Sequence, residues 1–308
     1  MNIVNILEEI EKVDGEVYER LNPRRAAMKS FFNMGKKISL AAMPLALGSM
    51  FQKAYGQTTL PAAVVDVLNF ALSLEYLEYH FYNHTIVGIT KKNQDGTTNN
   101  NVTDVTFTFP SAAGLAAITT IRDHEKAHVD LLVGALGASA RAPIAYADTD
   151  FRAGGKFASV YSDYNTFLAV AQGFEDTGVR AYKGQAGNLL VSPGVLQTAL
   201  QIHSVEARHA SHIRQMRTAA GSTVYKPWVS LGASGQANDS GVPDVDAVYA
   251  GEDLTVQANV NIATTAITGA PSAAAAKLAA VESFDEPLDK ASVITIANLF
   301  LQPGKKLS

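Results

Sequence analysis

Two Glu-x-x-His strings constrain this chain more than any other feature. They are "DHEKAH", with Glu125 and His128, and "VEARH", with Glu206 and His209. Residues three apart share one helix face, so each string aims a carboxylate and an imidazole the same way. Each string follows an apolar stretch that carries a further glutamate. "VLNFALSLEYLEYHFY" contains Glu75 and "FLAVAQGFEDTGVRAY" contains Glu175. Glu, Glu-x-x-His, Glu and Glu-x-x-His on four helices make the ligand set of a two-metal carboxylate site inside a bundle.

Glutamates ordinarily lie on solvated faces. Glu75 instead has Ala71, Leu74, Leu77 and Phe81 around it at helical spacing, and Glu175 follows Ala171 and Phe174. A lone buried carboxylate is costly, and crowded carboxylates do not all ionise unaided. Two divalent cations carry four positive charges, enough to balance Glu75, Glu125, Glu175 and Glu206. Neutral His128 and His209 then complete the coordination. This charge balance predicts two metal ions rather than one. The chain has no cysteine, so disulfides, thiolate metal sites and cysteine nucleophiles are excluded. Oxygen and nitrogen donors suit iron, manganese or zinc. The net charge of −4 over 308 residues gives no footprint for a nucleic-acid partner.

The chain also repeats itself. With Glu75 aligned on Glu175, Phe70 meets Val170, Leu74 meets Phe174 and Tyr82 meets Tyr182. With Glu125 aligned on Glu206, Ile121 meets Ile202, His128 meets His209 and Leu132 meets Ile213. Two helical hairpins with one inward pattern would each supply half of a pseudo-symmetric site. Other candidates are secondary. Glu78 lies one turn after Glu75, and a supporting or surface role suits it better than ligation. Tyr82 and Tyr182 lie two turns beyond their glutamates on the same face; packing is the ordinary role for such residues, and hydrogen bonding to a ligand is the other. In "HSVEARHASH" the step of three makes a drifting stripe, so His203, Glu206, His209 and His212 cannot all reach one ion pair. The duplication picks Glu206 and His209, and leaves His203 as a supporting group.

Four helices are expected: from Pro61 to about His84, from Ser111 to Gly137, from Asp163 to Gly184, and from Pro193 to about Gly221. Residues 85–110 read as a polar loop with a small hairpin, Asp95-Gly96 marking a turn and "VTFTF" at 105–109 alternating like a strand. The fold class is therefore mainly α, a four-helix bundle with a long crossover, a small hairpin insertion and a partly helical C-terminal extension. The bundle occupies residues 60–221. Residues 222–308 form the extension, in which Trp228, Phe284 and Phe300 are candidate anchors. Residues 1–59 hold Arg24, Arg25 and Lys29 ahead of the apolar run Ile38–Met50 and "AYG" at 54–56. That pattern looks like a twin-arginine export signal, with a basic segment packed on the domain as the alternative. Ile38–Met50 is too short to span a membrane. Export to the periplasm or cell envelope follows if the signal operates; otherwise the chain is cytoplasmic.

These stretches resemble the ferritin-like superfamily. Within it, the nearest likeness is to the group that includes plant desiccation-related proteins and exported bacterial members, whose tails share "YAGED" and "FDEPL". The resemblance covers about residues 60–220. It implies Glu75 and Glu175 as terminal ligands, Glu125 and Glu206 as bridges, and His128 and His209 as one cap for each metal. Diiron oxygenases of the superfamily often place an aspartate just before the Glu of Glu-x-x-His. His124 and Val205 stand there instead, which argues against a monooxygenase. The expected activity is that of a non-haem oxidoreductase with two iron or manganese ions, acting on oxygen, peroxide or ferrous iron. The alternative is a cell-envelope or stress-protection scaffold that binds metal for stability or not at all. Metal storage, which needs a hollow homo-oligomer, fits the long tail and inserted loop poorly.

Overall fold

The computed structural model describes residues 60–221, 223–232, 241–257 and 259–308. The arginine pair and the apolar run after it lie outside these residues.

The first helix, α1 (Ala62–Thr90), starts after Pro61 and runs six residues past the expected end. Its last turns, "IVGIT", bury Ile86, Val87 and Gly88, and Lys91 stops them in a left-handed conformation with φ 55°. Next, α2 (Ala112–Leu136) begins at Ser111, whose side chain accepts from the Gly114 N–H at 3.0 Å. It ends at Gly137, which takes φ 54°, a conformation open to glycine at little cost. Then α3 (Tyr164–Gln185) is capped by Asp163, which accepts from the Thr166 N–H at 2.7 Å. Last in the bundle, α4 (Pro193–Ala220) has proline in its first turn, where the missing N–H is no loss.

The protein is thus mainly α. α1 packs along α2 and α3 along α4, giving two helical hairpins. A crossover with short 3₁₀ turns at Gly137–Ser139, Tyr146–Asp148 and Ala153–Gly155 joins them. The core is continuous across all four helices and the crossover.

The inserted loop departs from expectation in one respect. A small hairpin does close around Asp95–Gly96, through Asn93 N–H to Thr97 O and Asn99 N–H to Lys91 O, both 2.9 Å. The segment at 105–109, however, belongs to no strand. Its alternation serves burial instead: Val105 and Phe107 point inward. Val105 presses on α1 at Gly88, where a Cβ would lie 2.5 Å from Val105 Cγ2. The absence of a side chain at Gly88 is what lets this loop lie on the helix.

The extension contains a 3₁₀ helix at Pro243–Tyr249, a two-stranded ladder of Val256–Gln257 with Val260–Asn261, α5 (Ala273–Ser283) and α6 (Lys290–Ala297). The 3₁₀ helix and α6 pack on α3. Trp228 and Phe284 are not anchors, being 49% and 46% exposed. Phe300 is one, stacked on Phe157 and tilted against Phe174. Val245, Val248 and Tyr249 do the work expected of the other two. Among the described residues, no helix is long and apolar enough to cross a membrane.

Candidate metal centre

The bundle brings the six residues of the two Glu-x-x-His strings and their partner glutamates to one point. Glu75 comes from α1, Glu125 and His128 from α2, Glu175 from α3, Glu206 and His209 from α4. All four glutamates are 0% exposed. His128 Nδ1 lies 3.2 Å from Glu75 Oε2, 3.0 Å from Glu125 Oε2 and 3.1 Å from Glu206 Oε1. His209 Nδ1 lies 2.9 Å from Glu125 Oε1, 3.1 Å from Glu175 Oε2 and 3.7 Å from Glu206 Oε2. Two groups of potential ligands result, Glu75–Glu125–His128–Glu206 and Glu125–Glu175–Glu206–His209, each with one donor atom per residue within 4.8 Å of the others. Glu125 and Glu206 belong to both groups.

The electrostatics of this centre are unbalanced. Burial pushes the Glu75 carboxyl up to about 8, against the pull of the neighbouring His128. Burial likewise raises Glu175, although His209 pulls the other way. Burial alone would raise Glu206 too, but His128 and His209 outweigh it and hold this carboxyl low. Both imidazoles are raised well above the ordinary histidine range: burial opposes their charge, but Glu75 beside His128 and Glu175 beside His209 lead the carboxylates that override it. In the metal-free chain, two imidazolium protons therefore stand among the acids. They do not satisfy them all. Glu125 Oε1 and both oxygens of Glu206 are buried and make no hydrogen bond, although imidazole nitrogens lie near them. Buried unsatisfied acceptors of this kind call for another partner.

Further residues support the cluster. Tyr82 of α1 donates its hydroxyl hydrogen to Glu175 Oε1 of α3. Tyr182 of α3 donates to Glu75 Oε1 of α1 at 2.5 Å. Each tyrosine thus serves the glutamate of the other hairpin, a crosswise link that spacing along one helix does not reveal. Glu78 is buried rather than on the surface. Burial first, and then the charge of Glu206, raise its carboxyl. The residue that the duplication pairs with Glu78 is Gly178, and a Cβ there would lie 3.1 Å from Glu78 Oε1 and 3.5 Å from Glu206 Oε2. Glycine on one side makes room for the carboxylate on the other, so the pseudo-symmetry is broken at this point. His124, in the place of the absent aspartate, lies 2.9 Å from His209 Nε2 through its Nδ1, with the two rings nearly parallel. No hydrogen bond joins His203 to the cluster, and its Nε2 is buried without a partner.

Four helices that turn carboxylates and imidazoles into one buried centre define a class of acid- and histidine-lined helical bundle. Within that class the chain belongs to the ferritin-like domain family, which matches residues 63–219. No curated protein and no solved structure matches the chain.

Proposed function

We propose that the bundle centre holds two divalent ions, iron or manganese, and that the protein performs redox chemistry with dioxygen, peroxide or ferrous iron. The observation that carries this reading is the sharing of Glu125 and Glu206 between two four-residue groups, with three of their oxygens buried and making no hydrogen bond. Divalent cations supply the missing positive charge, and the oxygen and nitrogen donor set suits iron and manganese. Glu125 and Glu206 would span both ions. Glu75 and His128 would hold one, Glu175 and His209 the other. Tyr82 and Tyr182 orient the terminal carboxylates through their outer oxygens, and His124 fixes the ring of His209. Iron or manganese in these positions would supply one-electron redox changes that no side chain of the cluster provides.

Export of the folded, loaded chain through the Arg24–Arg25 segment, as in the exported members that the sequence resembles, is part of the same proposal. The scaffold reading is favoured by one observation: all four glutamates are fully enclosed. Metal analysis of the full chain purified without chelators tests the centre, with two ions per chain expected and near-complete loss in Glu125→Ala. Retention of both ions by that variant overturns the two-metal reading. Dioxygen consumption by iron(II)-loaded protein separates the readings, and no consumption leaves the scaffold.

A further inference from the structure

We propose that a small apolar cavity enclosed by α1, α3 and the C-terminal extension is a docking pocket for dioxygen beside the metal centre. The idea rests on the two-metal reading and deepens it by choosing among the oxidants. Leu74 and Leu77 of α1, Phe174 of α3, and Val245, Val248 and Phe300 of the extension form its walls. The centre of a water-sized sphere has about 20 Å³ in which to move there. A single water needs roughly 10–15 Å³ by this measure, so the space suits a diatomic gas and no organic substrate.

Three polar side chains reach the cavity, and two of them face elsewhere. Thr177 donates its hydroxyl hydrogen to the Gly173 carbonyl at 2.6 Å. Asp244 is exposed at the rim, where the Lys156 ammonium holds it at 2.5 Å. The third, Glu78, closes the inner end. It also borders the candidate metal centre, because a Cβ at Gly178 would touch both its carboxylate and that of Glu206. The cavity therefore runs from an exposed rim to a carboxylate that borders the cluster. It lies on the α1–α3 side, whereas both imidazoles come from α2 and α4.

The chemistry of the walls selects the occupant. Water needs two to four polar partners to settle in a cavity, and dry apolar cavities take apolar guests such as xenon. Peroxide and hydrated ferrous iron would lose hydrogen bonds that these walls cannot replace. Dioxygen loses almost none. The extension thereby gains a role: Arg180 of α3 grips the carbonyls of Val248, Ala250 and Glu286, which holds the Val248 wall in place.

Crystals of the full chain under xenon test the pocket. A xenon atom is expected within the cavity, lost in Ala297→Met, which fills it, and retained in Val248→Ala, which widens it. A cavity without xenon in both the native chain and Val248→Ala overturns the proposal, as does xenon undiminished in Ala297→Met. Iron(II)-loaded protein supplies the kinetic arm. Ala297→Met is expected to slow oxidation by dioxygen and leave oxidation by hydrogen peroxide unchanged; equal slowing of both overturns the assignment to dioxygen. Failure of the two readings is distinguishable. Xenon bound in a chain that holds no metal overturns the metal centre and keeps the gas pocket, whereas a metal-loaded chain with no xenon overturns the pocket alone.

Discussion

Two regions of this molecule bury charge, and they are built on opposite principles. At the bundle centre, four carboxylates (Glu75, Glu125, Glu175 and Glu206) face two imidazoles, His128 and His209, and the buried Glu78 lies close by. At the seam between α3, α4 and the extension, two carboxylates face three guanidinium groups. Asp176 accepts from Arg214 at 2.6 Å and from the Tyr249 hydroxyl at 2.6 Å. Glu252 lies 2.8 Å from Arg180. Arg217 donates to Gln172 at 2.6 Å, and Gln172 donates to Tyr249 at 2.8 Å. Each buried acid of the seam has a guanidinium against it. At the centre the carboxylates outnumber the imidazoles, and three buried oxygens make no hydrogen bond. A fold that arranges full pairing at one buried site, and leaves the next one short, marks the second as a place for cations. The seam is structural, and the centre is where a ligand belongs.

The sharpest way to break this comparison is to remove one charge from each region. Arg214→Ala leaves Asp176 buried without its cation, a loss of about 3–5 kcal/mol for a broken buried pair. Metal content of the folded fraction should be unchanged. Glu78→Gln removes a charge from the oversupplied centre and keeps its shape. In metal-free protein it should leave stability equal or higher, because burial and the charge of Glu206 both act against the ionised form. Urea unfolding of the two variants measures both. A cost for Glu78→Gln as large as that for Arg214→Ala would mean that the centre is already balanced, and the contrast would fail.

A smaller effect comes from pH. Glu75 is raised from its ordinary value of 4.5 to about 8. A carboxyl raised on folding stabilises the native state fully below the unfolded value, and this is lost as pH rises through the folded one. Glu175 and Glu78 are raised as well. Metal-free protein should therefore lose stability between about pH 4.5 and 8. Glu206, held low, adds stability above pH 4.5 that is constant across this window. The seam contributes a decline of its own, since burial pushes Glu252 up to about 8 despite Arg180. Manganese should abolish the share that belongs to the centre and leave the share of Glu252, which Glu252→Gln then removes. Thermal melts of the four combinations give the result. A decline that manganese leaves untouched would place it all at the seam.

The two regions were not equally legible in the sequence. The centre was, because helical spacing turns Glu125 with His128, and Glu206 with His209, onto single faces, and the apolar neighbours of Glu75 and Glu175 betray their burial. The hairpin duplication then paired residues that the structure brings together. What depends on contacts between helices was hidden. The burial of Glu78 needs Gly178 opposite it, a juxtaposition set by the packing of α1 on α3, although the pairing of a glutamate with a glycine in the repeat was a usable signal. His124 reaches His209 across two helices, and no spacing within one string reports that. The seam was invisible: Arg180, Arg214 and Arg217 look like the polar face of ordinary helices until the extension covers them. Trp228 and Phe284 looked like anchors by size alone, but the covering is made by Val245, Val248 and Tyr249 at positions that carry no periodic signal.

The smallest predicted effect probes whether the two halves of the centre are equivalent. Tyr82 and Tyr182 make the same bond to Glu175 and Glu75, one from each hairpin. Both hydroxyls are buried, and burial together with the neighbouring carboxylate raises each well above the ordinary tyrosine range. They remain donors at every accessible pH. Tyr→Phe deletes one hydrogen bond to a charged acceptor, about 1.5–3 kcal/mol where the acceptor is ionised and about 1 kcal/mol where it is not. Glu75 is raised to about 8, so in metal-free protein at pH 6 Tyr182→Phe should sit at the lower figure, and the raised Glu175 moves Tyr82→Phe in the same direction. Metal should change this, because a bound cation keeps both carboxylates ionised and makes each donor worth more. Tyr182→Phe and Tyr82→Phe should then lose more stability in manganese-loaded protein than in metal-free protein, and by similar amounts. Paired melts with and without manganese read the difference. A penalty that grows for one tyrosine alone would show that only one half of the centre holds an ion, and the charge balance that demands two would have to be met in some other way at Glu78.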